Sequence, residues 1–206
     1  WVPSRQLSSV APAPAVDRAT VVTRLGWLHN DDAAAHRREH ISFGTSLPVL
    51  GTTGDWVRVS LPGGETRRIA AAAVVVHPRA DGALPASRAG LVASAKEFLG
   101  LPYLWAGRSG FGLDCSGLTS LVHEVHGLRI PRDASPQSQA GTVVNGALHR
   151  GDLLFYATSG TVHHVSMYVG HGRMIHSPRT GSAVSIIATA TPSYAAEYAG
   201  ARSYLP

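Results

Sequence analysis

The chain has 206 residues and 44% hydrophobic content, which suits one or two packed domains. No apolar run approaches the ~18 residues that a spanning helix needs, so a membrane span is not expected. The net charge of +5 comes from 17 Arg and one Lys against 13 acidic residues; no basic cluster is interleaved with aromatics, so the charge reads as a solvated face and nucleic acid is not an expected partner.

The chain starts at Trp1 without an initiator Met, a basic stretch or an apolar signal core, and something upstream is expected to be missing. Ser8 to Ala15, rich in Ser, Ala and Pro, reads as a linker. From Val21 to Val76, short β-like runs alternate with Gly, Asn and Asp: Val21-Val22-Thr23, Leu47 to Leu50, then Asp55 to Leu61 before a Pro62-Gly63-Gly64 turn. Val57, Val59 and Leu61 fall on one face, and the segment is expected to form a small barrel. Pro78 to Pro85 reads as a second linker. Ser87 then caps a helix from Arg88, with Val92, Ala95 and Leu99 on its inner face and Gly100 closing it.

Cys115, the single cysteine, permits no internal disulfide and leaves the redox compartment open. It stands at the start of a second helix: Leu118, Leu121, Val122 and Val125 recur at helical spacing, Asp114 caps the start and Gly127 the end. A helix N-terminus carries unpaired N–H groups and partial positive charge, which favour a thiolate. Further on, His164 to Gly170 reads as a strand with Val165, Met167 and Val169 on one face and His164, Ser166 and Tyr168 on the other. After a turn at Gly170 to Gly172, Arg173 to Ser177 forms another, so antiparallel pairing brings His164 and His176 together.

These three side chains make a set: a thiol to attack a carbonyl, an imidazole to hold it ionised and protonate a leaving amine, and a third group to fix that imidazole's tautomer. Cys115, His164 and His176 take these roles in turn. His163 points to the opposite face and is the weaker candidate. His123 and His126 share a helix without cysteine partners, so no metal site and no cofactor are expected.

The stretch from Ala89 to Pro206 resembles the NlpC/P60 cysteine peptidases of bacterial cell-wall metabolism. The matching motifs, in order, are Leu101 to Gly107, Asp114 to Leu118, Ile130-Pro131-Arg132-Asp133 with Gln137, Gly151 to Phe155, the His164 strand and the His176 strand. The resemblance implies a papain-like α+β domain, with helices packed on an antiparallel sheet. It also implies that the Tyr103 hydroxyl joins the Cys115 N–H in stabilising an oxyanion and that Asp114 and Ser116 contact substrate polar groups. Ala106 departs from the pattern, since relatives commonly carry Gly there; the loop is expected to tolerate it.

Ile41 to Thr45 and Gly54 to Val59 are similar to bacterial SH3 domains, which are small and all-β. Where such domains end in Gly-Trp and a short strand, this chain has Arg67-Arg68-Ile69-Ala70, while Trp1 to Leu7 looks like the closing strand of a preceding copy. The expected division is residues 1–18 as a remnant of that copy plus linker, 19–78 as an SH3-like domain, 79–88 as a linker and 89–206 as the catalytic domain. This order is similar to that of γ-D-glutamyl-L-diamino acid endopeptidases. It implies a peptidoglycan stem peptide as substrate, with a free N-terminal L-Ala whose amine Asp114 and Ser116 help to bind. The cell envelope or secretion is favoured as location, with cytoplasmic peptide recycling open; oligomeric state is not legible. Two other classes stay open: an inactive cell-wall binding protein, and an amidase or acyltransferase on the same fold.

Overall fold

The structure, a computed structural model, describes residues 17–32, 36–79 and 82–205. The strand expected at Trp1 to Leu7 and the linker at Ser8 to Ala15 lie outside the described residues. Two units separate, Trp1–Ala83 and Leu84–Pro206.

In the first unit, period-two alternation yields seven strands: β1 (Asp17–Val21), β2 (Leu25–Asn30), β3 (Arg37–Ser42), β4 (Ser46–Thr53), β5 (Trp56–Ser60), β6 (Thr66–Ala70) and β7 (Val74–Pro78). They pair antiparallel in the order β3-β2-β6-β5-β4-β1-β7. Val21 of β1, Leu28 of β2, Val59 of β5, Ile69 of β6 and Val74 of β7 share one apolar cluster, so the sheet curls around a single core. Leu61 packs against it, as the alternation predicts. Val22 and Thr23, expected as strand, lie outside it: Val22 N–H donates to the Ala73 carbonyl at 3.0 Å, and Thr23 and Arg24 form a bend in which the Thr23 hydroxyl donates to the Leu25 carbonyl at 3.1 Å. Arg67 to Ala70 belongs to an interior strand, and β7 follows it after a 3-10 turn at Ala71–Ala73.

The second unit opens with α1 (Arg88–Lys96), where the Ser87 hydroxyl accepts from the Gly90 N–H at 3.1 Å. Leu99, expected inside, is 43% exposed because α1 stops at Lys96; Phe98 fills the core instead. A short hairpin, β8 (Arg108–Ser109) and β9 (Gly112–Leu113), leads into α2 (Cys115–Val125). Leu118, Leu121, Val122 and Val125 are all buried, each contributing about 1.5–3 kcal/mol. Gly127, at φ 74°, ends α2 as the Leu128 N–H turns back to the His123 carbonyl at 2.9 Å.

Then come α3 (Ala134–Gln139), β10 (Thr142–Val143), β11 (Leu153–Thr158), β12 (Thr161–Gly170), β13 (Arg173–His176), β14 (Ser185–Ala188), α4 (Pro192–Glu197) and β15 (Tyr198–Ser203). The strands form one antiparallel sheet in the order β10-β15-β11-β12-β13-β14. α2 and α3 lie against β12. Val165 and Met167 are buried, and so are His164 and Ser166 on the other face. There Ser166 meets Tyr156 at 3.0 Å and Met174 at 3.1 Å, within a cluster that also takes in Tyr194 of α4.

Candidate active site

Cys115 begins α2 because Asp114 stops the backbone and caps it: Asp114 Oδ1 accepts from the Gly117 N–H at 2.6 Å. A Cβ on Gly117 would stand 2.1 Å from the Gly107 carbonyl oxygen. Only glycine lets the Tyr103 to Gly107 loop ride this close over the helix start. The loop is pinned there by Leu104 N–H to Leu113 O and Asp114 N–H to Gly107 O, both 3.1 Å. Ala106 in that loop has φ 59°, the left-handed region that glycine occupies without a Cβ penalty.

β12 and β13 pair with Met167 opposite Ile175 and Tyr168 opposite Met174. Continuing that register sets His176 across from the small Ser166, so the two imidazoles meet on the diagonal. His164 Nε2 and His176 Nδ1 are 3.1 Å apart. The Ser177 hydroxyl donates to the Leu113 carbonyl at 2.7 Å, tying the end of the His176 strand to the residues just before Cys115. The Val165 N–H, next to His164, is aimed at the cysteine sulfur. Cys115, His164, His176, Tyr103 and Trp105 border one cavity of about 1140 Å³.

Burial dominates the electrostatics. It pushes the Cys115 thiol above its ordinary value, outweighing the N–H groups of Val165, Ser116 and Cys115 itself that favour the anion. It also pulls His164 down to about 3, helped by His176 and His163, and His176 down to about 4. Burial thus favours a thiol and two neutral imidazoles lining the same cavity. The helix N-terminus alone suggested a thiolate; desolvation overrules it.

Tyr103 is half-buried at the cavity, its backbone N–H donating to Ser182 O at 2.8 Å. Its hydroxyl meets no hydrogen-bond partner among the described residues, and burial together with the nearby Cys115 and Asp114 raises its pKa. Asp114 and Ser116 are both buried and already engaged. Arg132 grips the Asp114 carboxylate with both terminal nitrogens, at 3.0 and 2.7 Å, and donates to the Ser116 hydroxyl at 3.0 Å. That bidentate bond raises the Arg132 pKa. Gln137, fully buried, accepts from Thr119 at 2.9 Å and donates to the Pro131 carbonyl at 2.8 Å. The Arg132 and Gln137 motif thus fastens α3 and its approach to the head of α2.

His163 lies outside this pair, bonded to Thr158 at 3.1 Å and 3.4 Å from Glu197. His123 and His126 are structural. His123 Nδ1 contacts the Thr119 carbonyl at 2.8 Å, and His126 bridges Pro85 O and Ser94 Oγ at 2.6 and 3.0 Å. Sequence reasoning missed Tyr194, whose ring centre lies 5.5 Å from that of His164 and 5.0 Å from that of His176. It sits on a two-turn helix without a motif, and only the fold brings it to the histidines.

Comparison with known proteins finds matches for both units. Residues 100–203 match the NlpC/P60 family and residues 21–77 the YKFC SH3b2 domain. The chain is 41% identical to a gamma-D-glutamyl-L-lysine dipeptidyl-peptidase of Bacillus cereus, with all of this chain and 64% of the relative covered. It is 34% identical to a Bacillus subtilis protein of the same name, over 98% of this chain and 67% of that one. The crystal structure of a Bacillus cereus NlpC/P60 family protein superposes with a TM-score of 0.87 at 41% identity, covering 92% of this chain and 64% of that one. The chain thus spans about two thirds of the length of these relatives.

Proposed function

As the chain belongs to the NlpC/P60 family, we propose that it is a cysteine peptidase hydrolysing the γ-D-glutamyl to L-diamino acid bond of peptidoglycan stem peptides. The observation that carries this reading is the His164–His176 contact at 3.1 Å on the same cavity as a helix-terminal Cys115. The relatives named for γ-D-glutamyl-L-lysine cleavage support the choice of bond.

Chemistry assigns the tautomers. For His164 to accept the thiol proton at Nδ1, its Nε2 must carry hydrogen and donate to His176 Nδ1, so His176 orients the base. The thiol proton passes to His164 as sulfur attacks the γ-carbonyl; the C–S bond forms and the carbonyl pair becomes an oxyanion. The Cys115 N–H and the Tyr103 hydroxyl stabilise that charge. Collapse breaks the C–N bond, and the imidazolium gives its proton to the departing amine. Its low basicity makes it a strong acid for this step. A water, deprotonated by His164, then cleaves the thioester and returns the proton to sulfur.

Asp114 and Ser116 border the acyl side and are assigned to the substrate's polar groups, among them the free amine of an N-terminal L-Ala. The test is to incubate the protein and its Cys115→Ala variant with L-Ala-γ-D-Glu-diaminopimelate stems, free and N-blocked, and weigh the products. Release of L-Ala-γ-D-Glu from free stems by the wild type alone supports the reading. Equal cutting of blocked stems removes the amine requirement, and no cutting of any stem removes the function.

A further inference from the structure

The cavity continues past the two catalytic imidazoles to a wall that the reaction just described does not use. His164 protonates the departing amine, so the leaving diamino acid must lie on the imidazole side of Cys115, away from Asp114 and Ser116. The lining there is Tyr194, Glu197, His163 and Arg179. Tyr194 stands against both histidines, and its hydroxyl, raised first by burial, also feels the charges of Arg179, Glu197 and Cys115, two of which, Arg179 and Glu197, line the same cavity.

Glu197 is held rather than free to swing. Its Oε1 accepts from the Thr158 hydroxyl at 3.3 Å and its Oε2 lies 3.4 Å from His163 Nε2. Both partners belong to the turn that joins β11 to β12 or to its flanks, so the carboxylate is fixed to the sheet that carries His164. Arg179 follows β13 by three residues, is exposed, and takes no ion-pair partner among the described residues. One fixed anion and one open cation, lining the same cavity as a tyrosine ring, match a zwitterion: a side-chain ammonium and a backbone carboxylate.

We propose that Glu197 and Arg179 form the leaving-group subsite, Glu197 taking the side-chain ammonium of the diamino acid and Arg179 its carboxylate, with Tyr194 packing on the aliphatic stem. This rests on the peptidase reading above and adds the residues that select a diamino acid over a neutral one. A charged hydrogen bond at a partly solvated wall sets a selectivity on the order of tenfold.

The experiment compares L-Ala-γ-D-Glu-L-Lys stems with stems acetylated on the lysine Nε and with stems amidated on the lysine carboxylate, measuring kcat/KM with wild type, Glu197→Gln and Arg179→Gln. The wild type is expected to prefer the free lysine by about tenfold. Glu197→Gln is expected to reduce that ratio to about two or less through KM, while Arg179→Gln keeps it and instead lowers the preference for a free over an amidated carboxylate. A wild-type ratio near one overturns the subsite without touching the peptidase reading, as does an unchanged ratio in folded Glu197→Gln. Failure of the wild type to cut either stem overturns the peptidase reading itself. Should Glu197→Gln not fold, the wild-type ratio and the Arg179→Gln carboxylate preference still decide the matter.

Discussion

Alkylation of Cys115 reads the resting protonation state directly, because the chain holds no other cysteine. Burial holds the Cys115 thiol above its ordinary value and pulls His164 down to about 3, so moving the thiol proton to His164 is uphill at rest. The rate of reaction with iodoacetamide is therefore expected to climb about tenfold per pH unit from pH ~6.5 to ~8.5 and to level off only above pH ~9. The same cysteine in urea, titrating near ~8.5, supplies the reference. A rate already on its plateau between pH ~5 and ~7 would refute the argument, since only a resting ion pair gives that profile.

Three further outcomes follow from the same geometry. His123 is buried neutral with its pKa pulled down to about 4. Below its unfolded value the unfolded chain binds the extra proton, so stability is full above pH ~6.5 and falls by about 3 kcal/mol as pH drops to ~4. Urea unfolding at several pH values checks this, and His123→Leu should flatten the slope by about one proton. Gly117→Ala forces a Cβ to 2.1 Å from the Gly107 carbonyl and is expected to cost about 3 kcal/mol or more, read as a lowered denaturation midpoint. Tyr103→Phe removes only a hydroxyl without a partner among the described residues; kcat should fall by about 10- to 100-fold with the melting temperature unchanged, and a fall in the melting temperature as well would make Tyr103 structural.

Cys115, His164 and His176 were legible because each sits on a regular element whose period fixes its direction: a capped helix and two strands joined by a glycine turn. The small Ser166, which lets the histidines meet on the diagonal, lay in plain view in the same strand. The grip of Arg132 on Asp114 was not legible as a bond. Its motif was visible, but the partner depends on how a loop crosses the helix start. Tyr194 escaped because aromatic contact between a short helix and a distant sheet leaves no spacing to read. The neutral thiol escaped as well. A helix N-terminus can be read from sequence, whereas the desolvation that opposes it comes from packing by β12 and the Tyr103 loop. Leu99 failed for a local reason, since the helix ended a turn before the apolar period did.

The central claim is that one sulfur carries the acyl group between two half-reactions. Rapid acid quench of the protein with an L-Ala-γ-D-Glu-L-Lys stem, followed by peptide mass mapping, tests it most directly. The expected product is L-Ala-γ-D-Glu attached as a thioester to Cys115, absent from Cys115→Ala and longer-lived in a His164→Ala variant acylated with a reactive thioester substrate. Turnover of the stem by Cys115→Ala at the wild-type rate would contradict it.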